Sequence, residues 1–466
     1  MDHMSPEEFR QHGHAMVDWL ADYMTSLPER SVLHSAAPGS IREQLPAAAP
    51  ESGESMQAMM SDVESVLLPG ITHWQHPGWF AFFPANATGP SILGELLSAG
   101  LGVQGMMWDT SPAATELEER VMDWLVGLLG LPDSWRNEQG PGGGVIQSTA
   151  SDATHTALVV ARHRASKKGH SPSKLVVYAS SQAHSSVEKG ARVAGFEHIR
   201  LLATDDAFAL QPEALEQAIA NDTAAGLVPC VVISAVGATG TGAVDPVDAI
   251  GRITERHGLW HHVDAAWAGS AMVLPEHRHL QPGLDRVDSY VFNPHKWLFV
   301  NFDCSAFWVA DRTALLDAMS VLPPYLRNAA TESGQVTDYR DWHVPLGRRF
   351  RSLKLWFVLR HYGRDGLRKH ISEHIAWADW VADQVRTSPH LELVTEPVLS
   401  LVCLQHIDGA DATRALVTRV NATGHSAVTG STLPDGTPFL RVAIGQANTR
   451  FEDVERLWSV LNTPVA

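Results

Sequence analysis

The spacing of apolar positions changes twice along the chain. In the first stretch Phe9, Met16, Val17, Leu20 and Met24 recur at helical spacing. They follow Ser5-Pro6-Glu7-Glu8, where serine as N-cap, proline at the first helical position and glutamate at the third form a capping box. This pattern predicts a helix whose apolar face docks on another surface, which in a dimer is the partner chain. Residues 35–55 are rich in Pro, Ala, Ser and Gly and predict an extended connector. Leu117, Val121, Trp124, Leu125 and Leu128 line one face of a second helix. Beyond the Gly140–Gly144 break the pattern shifts to short continuous apolar runs, at 175–178, 231–236, 259–263, 289–292 and 304–309. Helical stretches separate them, near 153–167, 187–194 and 246–257. Apolar strands alternating with helices predict an α/β fold with a mainly parallel sheet covered on both faces. Ligands of such sheets sit beyond the carboxyl ends of the strands. A helix over 350–362 then opens a small C-terminal domain. In that domain Leu440–Ile444 predicts a strand and Thr449-Arg450-Phe451-Glu452 a capping-box start to the last helix.

Composition narrows the class. The 466 residues, 44% hydrophobic and 19% charged, suffice for a large core and two or three domains of a soluble protein. A net charge of −17 argues against a nucleic-acid partner or an anionic membrane, since both require a basic face. Cys230, Cys304 and Cys403 are odd in number and far apart, which predicts no disulfide framework and a reducing, cytoplasmic setting. No basic-then-apolar signal pattern and no uncharged apolar run of membrane-spanning length is present. His73 and His76 have metal-ligand spacing but lack evident further ligands, so no metal is expected.

The chemistry centres on Asn293-Pro294-His295-Lys296-Trp297. Pro294 cannot donate to a sheet ladder and biases Asn293 away from helix, so the strand Ser289–Phe292 ends there and Lys296 follows its end. A lysine walled by rings can lose its proton and become an amine nucleophile. Thr149-Ala150-Ser151-Asp152 opens a helix with small hydroxyl residues and free amides, a site for an anion such as phosphate. Plain N-capping explains the same residues without a ligand. Thr239 and Asp264 also fall at strand ends, and His184 lies in the loop after one. Gly237–Gly242 is not a dinucleotide fingerprint, because Asp245 stands where a third glycine would be needed. Pyridoxal phosphate requires a lysine for its aldehyde, a carboxylate for its ring nitrogen, a flat side chain over the ring and an anion site. Lys296, Asp264, His184 and the Thr149–Ser151 turn supply these in order.

The motifs Gln182-Ala183-His184-Ser185-Ser186, His262-Val263-Asp264-Ala265-Ala266, Asn293-Pro294-His295-Lys296-Trp297 and Leu346-Gly347-Arg348-Arg349-Phe350 carry a resemblance. From about Ser5 to near the C-terminus the chain resembles the aromatic-L-amino-acid decarboxylases, the group II pyridoxal-phosphate decarboxylases. The resemblance implies an aspartate-aminotransferase-type (fold type I) architecture with a seven-stranded sheet and an obligate homodimer with sites at the interface. The expected divisions are an N-terminal helical segment over 1–88, a large cofactor-binding domain over 89–350 and a small α+β domain over 351–466. It further implies that Lys296 holds the cofactor covalently, Asp264 pairs with the ring nitrogen and His184 stacks on the ring. Thr149, Ala150, Ser151, Asn293 and His295 match phosphate-side positions, while Thr239 and Ala266 lie near the ring.

Tyr325 matches the tyrosine of the family's catalytic loop, here about 321–345, which returns a proton to the substrate Cα. Relatives that lose this tyrosine, or replace the stacking histidine with asparagine, resemble aldehyde synthases. The presence of Tyr325 and His184 therefore favours simple amine formation over aldehyde synthesis. Trp74, Phe82 and Phe83 match an aromatic pocket wall. Phe82, Ala85, Gln104 and Met106 depart from the pattern of catechol-preferring animal enzymes. Gly347 matches a glycine that accompanies indole substrates in plant relatives. Tryptophan is thus expected to lead among several aromatic substrates, ahead of phenylalanine, tyrosine or dihydroxyphenylalanine. An aminotransferase and a non-catalytic cofactor-binding protein are the competing classes.

Overall fold

A computed structural model describes residues 3–321 and 335–463. Tyr325 lies outside the described residues. The main sheet has strands β1 (Gly143–Gln147), β2 (Leu175–Ser180), β3 (His198–Leu202), β4 (Val228–Ala235), β5 (Trp260–Asp264), β6 (Ser289–Phe292) and β7 (Ser305–Val309). Their spatial order is β1-β7-β6-β5-β4-β2-β3. Strands β3, β2, β4, β5 and β6 are mutually parallel, and β7 runs antiparallel to both of its neighbours, β6 and β1. β1 therefore points the same way as β6, and the carboxyl ends of β1, β2, β4, β5 and β6 share one edge.

Alternation along the strands explains why both faces are covered. Ile146, Tyr290, Phe292, Ala306 and Trp308 join one core with Val121, Met122, Leu125 and Val126 of the Pro112–Leu129 helix. Val145, Val291, Phe307 and Val309 point to the other face, against Ala153, Ala157, Val160 and Ala161 of the Ala150–Lys167 helix. Successive strand residues face opposite ways, so continuous apolar runs are what a doubly covered sheet demands.

A second sheet, with β8 (Leu391–Leu393), β9 (Leu401–His406), β10 (Thr429–Thr432) and β11 (Pro438–Ala443), is antiparallel in the order β10-β11-β9-β8. It packs on a separate core that includes Ala378, Val381, Leu416, Val420, Val454 and Leu457. The helix expected over 350–362 continues as Arg351–Thr387, bending at Gly363, whose φ of 60° and ψ of −178° are not helical. Its first part packs Leu355 and Val358 into the large core and its later part packs Ala378 and Val381 into the small one.

The N-terminal capping box forms as expected: Ser5 Oγ accepts from Glu8 N at 3.2 Å and Glu8 Oε2 accepts from Ser5 N at 2.8 Å. The Pro6–Ser26 helix that follows buries none of its residues, and Phe9, Met16, Val17 and Met24 lie on its exposed surface. Three local expectations need correction. The 35–55 connector contains a short helix, Ser40–Gln44. The helix expected from Ala153 begins at Ala150, because Thr149 caps it by accepting from Asp152 N at 3.2 Å. The last helix starts at Phe451, with Asp453 accepting from Arg450 N at 3.0 Å, whereas the Thr449 hydroxyl is drawn away to donate to the Pro77 carbonyl at 2.7 Å. No helix among the described residues is long and apolar enough to cross a membrane.

Candidate active site

The strand ends converge on a cavity of about 170 Å³ lined by Phe83, Thr149, Ala150, Ser151, His184, Ala235, Gly237, Ala238, Thr239, Asp264, Ala266, Trp267, Asn293 and Lys296. Each side chain is set there by local structure. Pro294 opens a single helical turn, Pro294–Trp297, and Lys296 N donates to Asn293 O at 2.9 Å within it. The Lys296 carbonyl accepts from Asn86 Nδ2 at 2.6 Å, which ties the turn to the segment after Phe83. Asn293 is buried, its N–H given to Ala266 O at 2.9 Å and its Oδ1 taken by Ser305 Oγ at 2.6 Å. His295 Nδ1 accepts from Cys304 N at 2.9 Å, so the neutral ring carries its proton on Nε2. Asp264 closes β5, and its Oδ1 accepts from Ala266 N at 2.9 Å.

Electrostatics suit an amine nucleophile. Burial lowers the Lys296 pKa; the Asp264 carboxylate opposes this and the Arg441 guanidinium adds to it. The Lys296 amine lies 5.3 Å from the centre of the Phe83 ring. Burial also lowers the His184 pKa, with Asp264 opposing and Lys296 reinforcing the shift. His184 Nδ1 accepts from Ser186 N at 3.2 Å, which leaves the Nε2 position for the proton of the neutral ring. Burial pushes His295 down to about 3. At the start of the Ala150–Lys167 helix Thr149 satisfies Asp152 N, while the N–H groups of Ala150 and Ser151 belong to the first turn, which has no intrahelical acceptors.

The other expected pocket residues are placed differently. Phe83 lines the cavity and stacks on Trp267, centroids 4.5 Å apart. Phe82 turns away: its φ of +54° lies in the left-handed region, and its ring stacks on Trp74 at 5.7 Å. Trp74 in turn packs on Trp79 at 4.4 Å, and neither Trp74 nor Phe82 lines the Lys296 cavity. Gln104, Met106 and Gly347 form another group. Gln104 Oε1 accepts from Arg348 N at 2.5 Å, Met106 O accepts from Arg340 N at 2.9 Å, and Gly347 lines a second cavity of about 280 Å³ with Gln147, Ser148, His155 and His343. The chain does not itself bring these three to Lys296. His73 and His76 are engaged locally, His73 Nδ1 with the Tyr23 hydroxyl at 2.8 Å and His76 Nδ1 with Gly78 N at 2.9 Å.

Two neighbours of the site were not expected from sequence. Trp267 forms the back of Phe83 and stacks on Trp297 at 5.5 Å. Arg441, from β11, is buried, with its guanidinium carbon 5.1 Å from the Phe83 ring centre and Nε donating to Gly240 O at 2.9 Å. Its Nη2 has no hydrogen-bond partner among the described residues. The available signal was a charged residue at an otherwise apolar strand position, Leu440-Arg441-Val442.

The conserved-domain pattern of pyridoxal-dependent decarboxylases matches residues 38–407. The chain belongs to this decarboxylase family. It is 42% identical to phenylacetaldehyde synthase of Arabidopsis thaliana, over 98% of this chain and 96% of that protein. It is likewise 42% identical to aromatic-L-amino-acid decarboxylase of Bos taurus, over 98% and 95%. The crystal structure of Oryza sativa TDC with PLP and tryptamine is similar at a TM-score of 0.96, with 38% identity, covering 99% of this chain and 98% of that one. The decarboxylase cofactor, pyridoxal phosphate, fits the cavity by its donor set. An amine depressed in basicity faces it, the Asp264 oxygen not engaged by Ala266 is available to a ring N–H, and a helix start offers amide donors to a phosphate.

Proposed function

We propose that this decarboxylase converts aromatic L-amino acids to arylalkylamines and carbon dioxide, with tryptophan, giving tryptamine, favoured among them. The observation that carries the proposal is the placement of Lys296, Asp264 and the Thr149–Ser151 helix start on one cavity at the carboxyl edge of the sheet. Pyridoxal phosphate supplies an aldehyde for amines and a ring that accepts an electron pair. Lys296 would provide the amine that holds the cofactor aldehyde and would give it up to the substrate amine. Asp264 would hold a proton on the ring nitrogen, which would favour electron withdrawal by the ring. Ala150 and Ser151 amides, with Thr149, Asn293 and His295, would hold the phosphate end. His184, with its proton on Nε2, would cover the ring from the loop after β2, and Thr239 and Ala266 would lie beside it. Tyr325 delivers the proton to the substrate Cα.

The active unit is a homodimer in which Gln104, Met106 and Gly347 of one protomer complete the substrate wall of the other's cavity. Two observations support it: those residues do not reach Lys296 within their own chain, and apolar faces lie uncovered on the Pro6–Ser26 helix and on the Gly89–Leu101 helix, where Leu93, Leu96, Leu97 and Leu101 are exposed. The same reading divides the chain into an N-terminal dimerisation segment over 1–88, a cofactor domain over 89–350 and a small domain over 351–466. It places the protein in the cytoplasm, in keeping with three buried cysteines that are all free. Aldehyde synthesis is the second reading, favoured by the similarity to phenylacetaldehyde synthase.

The test is a product assay. The protein loaded with pyridoxal phosphate is given tryptophan, phenylalanine, tyrosine and dihydroxyphenylalanine separately, and amines, aldehydes and carbon dioxide are quantified. Amine as main product with tryptamine leading supports the proposal. Aldehyde with hydrogen peroxide overturns the amine assignment, and no carbon dioxide from any substrate overturns the decarboxylase reading.

A further inference from the structure

His262 lies two residues before Asp264 on β5 and is fully buried. Burial pushes its pKa down to about 3, so the ring is neutral at any working pH. Both ring nitrogens are used, and each reaches a different element. Nδ1 is 2.9 Å from Ser289 Oγ on β6, the strand that leads to Asn293 and Lys296. Nε2 is 3.3 Å from Thr154 Oγ1 on the Ala150–Lys167 helix, one turn below Ala150 and Ser151. Ser289 Oγ also accepts from Trp260 Nε1 at 2.8 Å, which fixes the hydroxyl in place. Because a hydroxyl can give or take a proton, both bonds to the ring hold in either neutral tautomer. One imidazole thus joins the strand of the carboxylate, the strand of the lysine and the helix of the anion site.

We propose that His262 is a positioning residue that sets the phosphate-holding helix start in register with Asp264 and Lys296. The proposal rests on the cofactor assignment above. A residue that only fills space would stabilise the fold as a whole. A residue that sets this register acts selectively on the phosphate end, because, of its two hydrogen-bond partners, Thr154 is the one on the Ala150–Lys167 helix.

The test compares the binding of pyridoxal phosphate with that of pyridoxal, which lacks the phosphate, in the wild type, His262→Phe, Thr154→Val and the double variant. Losing one buried hydrogen bond weakens the phosphorylated form about five- to tenfold. The proposal predicts that loss in both single variants, less than about a twofold change for pyridoxal, and a double variant no weaker than His262→Phe, since the two side chains act through one bond. It also predicts a shift of the bound-cofactor phosphorus resonance and partial recovery in His262→Gln. Equal losses for both ligands, or no loss in Thr154→Val, overturn it. Thr154→Val preserves shape and reads the same bond if His262→Phe does not fold. A wild type that does not bind pyridoxal phosphate would instead overturn the cofactor assignment.

Discussion

Replacing Glu118 by glutamine should destabilise the protein by about 2–4 kcal/mol and loosen the segment around residue 104. Arg348 Nη2 lies 2.6 Å from Glu118 Oε1, and both side chains are only 3% exposed. The same Nη2 donates to Ile146 O at 2.9 Å, Glu118 Oε1 accepts from Ile146 N at 2.8 Å, and the guanidinium lies 4.6 Å from the Tyr339 ring centre. Removing the charge from one partner of a buried pair costs about 3–5 kcal/mol, because the other charge stays buried and uncompensated. The glutamine carbonyl still accepts a hydrogen bond, which returns about 1 kcal/mol. Arg348 also anchors the expected substrate wall, since its N–H goes to Gln104 Oε1 and its carbonyl accepts from Gly105 N at 3.0 Å. Denaturant melts of wild type, Glu118→Gln, Arg348→Met and the double variant give the coupling, and steady-state kinetics give KM for tryptophan. The double variant should lose much less than the sum of the singles, and Glu118→Gln should raise KM more than it weakens cofactor binding. A single-variant loss under about 1 kcal/mol, or strict additivity, would refute the reasoning.

Burial pushes His261, His262, His295, His343 and His374 down to about 3. Their unfolded forms take up protons near pH 6.5 while the folded forms do not, so stability is full above that pH and falls as the pH drops towards 3; His374→Phe should make the slope shallower by about 1 kcal/mol per pH unit, averaged over melts between pH 7 and 5. Gly237 has a φ of +85°, and a Cβ there would lie 2.7 Å from Ala268 Cβ and 2.9 Å from the Trp267 ring. Gly237→Ala should therefore lower the melting point and abolish tight cofactor binding, and a variant that binds like wild type would contradict this. The Arg441 guanidinium adds to the lowering of the Lys296 pKa by burial, so Arg441→Met raises the lysine pKa and moves the pH dependence of cofactor attachment to higher pH, which a stopped-flow absorbance series would show.

The large sheet was legible because its strands are apolar on both faces and end in turn signals, as Ser289–Phe292 does at Asn293-Pro294. The Ser5–Glu8 start was legible because a capping box is purely local. Sequence alone misplaced the start of the last helix, where Thr449 is claimed by the distant Pro77 carbonyl. It also could not foresee that Phe82 and Phe83, adjacent in the chain, face different surroundings, because that depends on the left-handed backbone at Phe82. Lys296, Asp264, His184 and Thr149 meet because parallel strands gather their carboxyl ends, a consequence of topology that the strand pattern implied. Arg441 escaped notice because it enters from β11, on the other sheet, more than a hundred residues beyond Lys296.

Borohydride reduction of the cofactor-loaded protein, followed by peptide mass spectrometry, tests the central claim most directly. Reduction fixes any lysine–cofactor Schiff base as a stable amine. The account predicts a single phosphopyridoxyl adduct, on Lys296, that is absent from Lys296→Ala. An adduct on another lysine, or none on a protein that binds the cofactor, would contradict it.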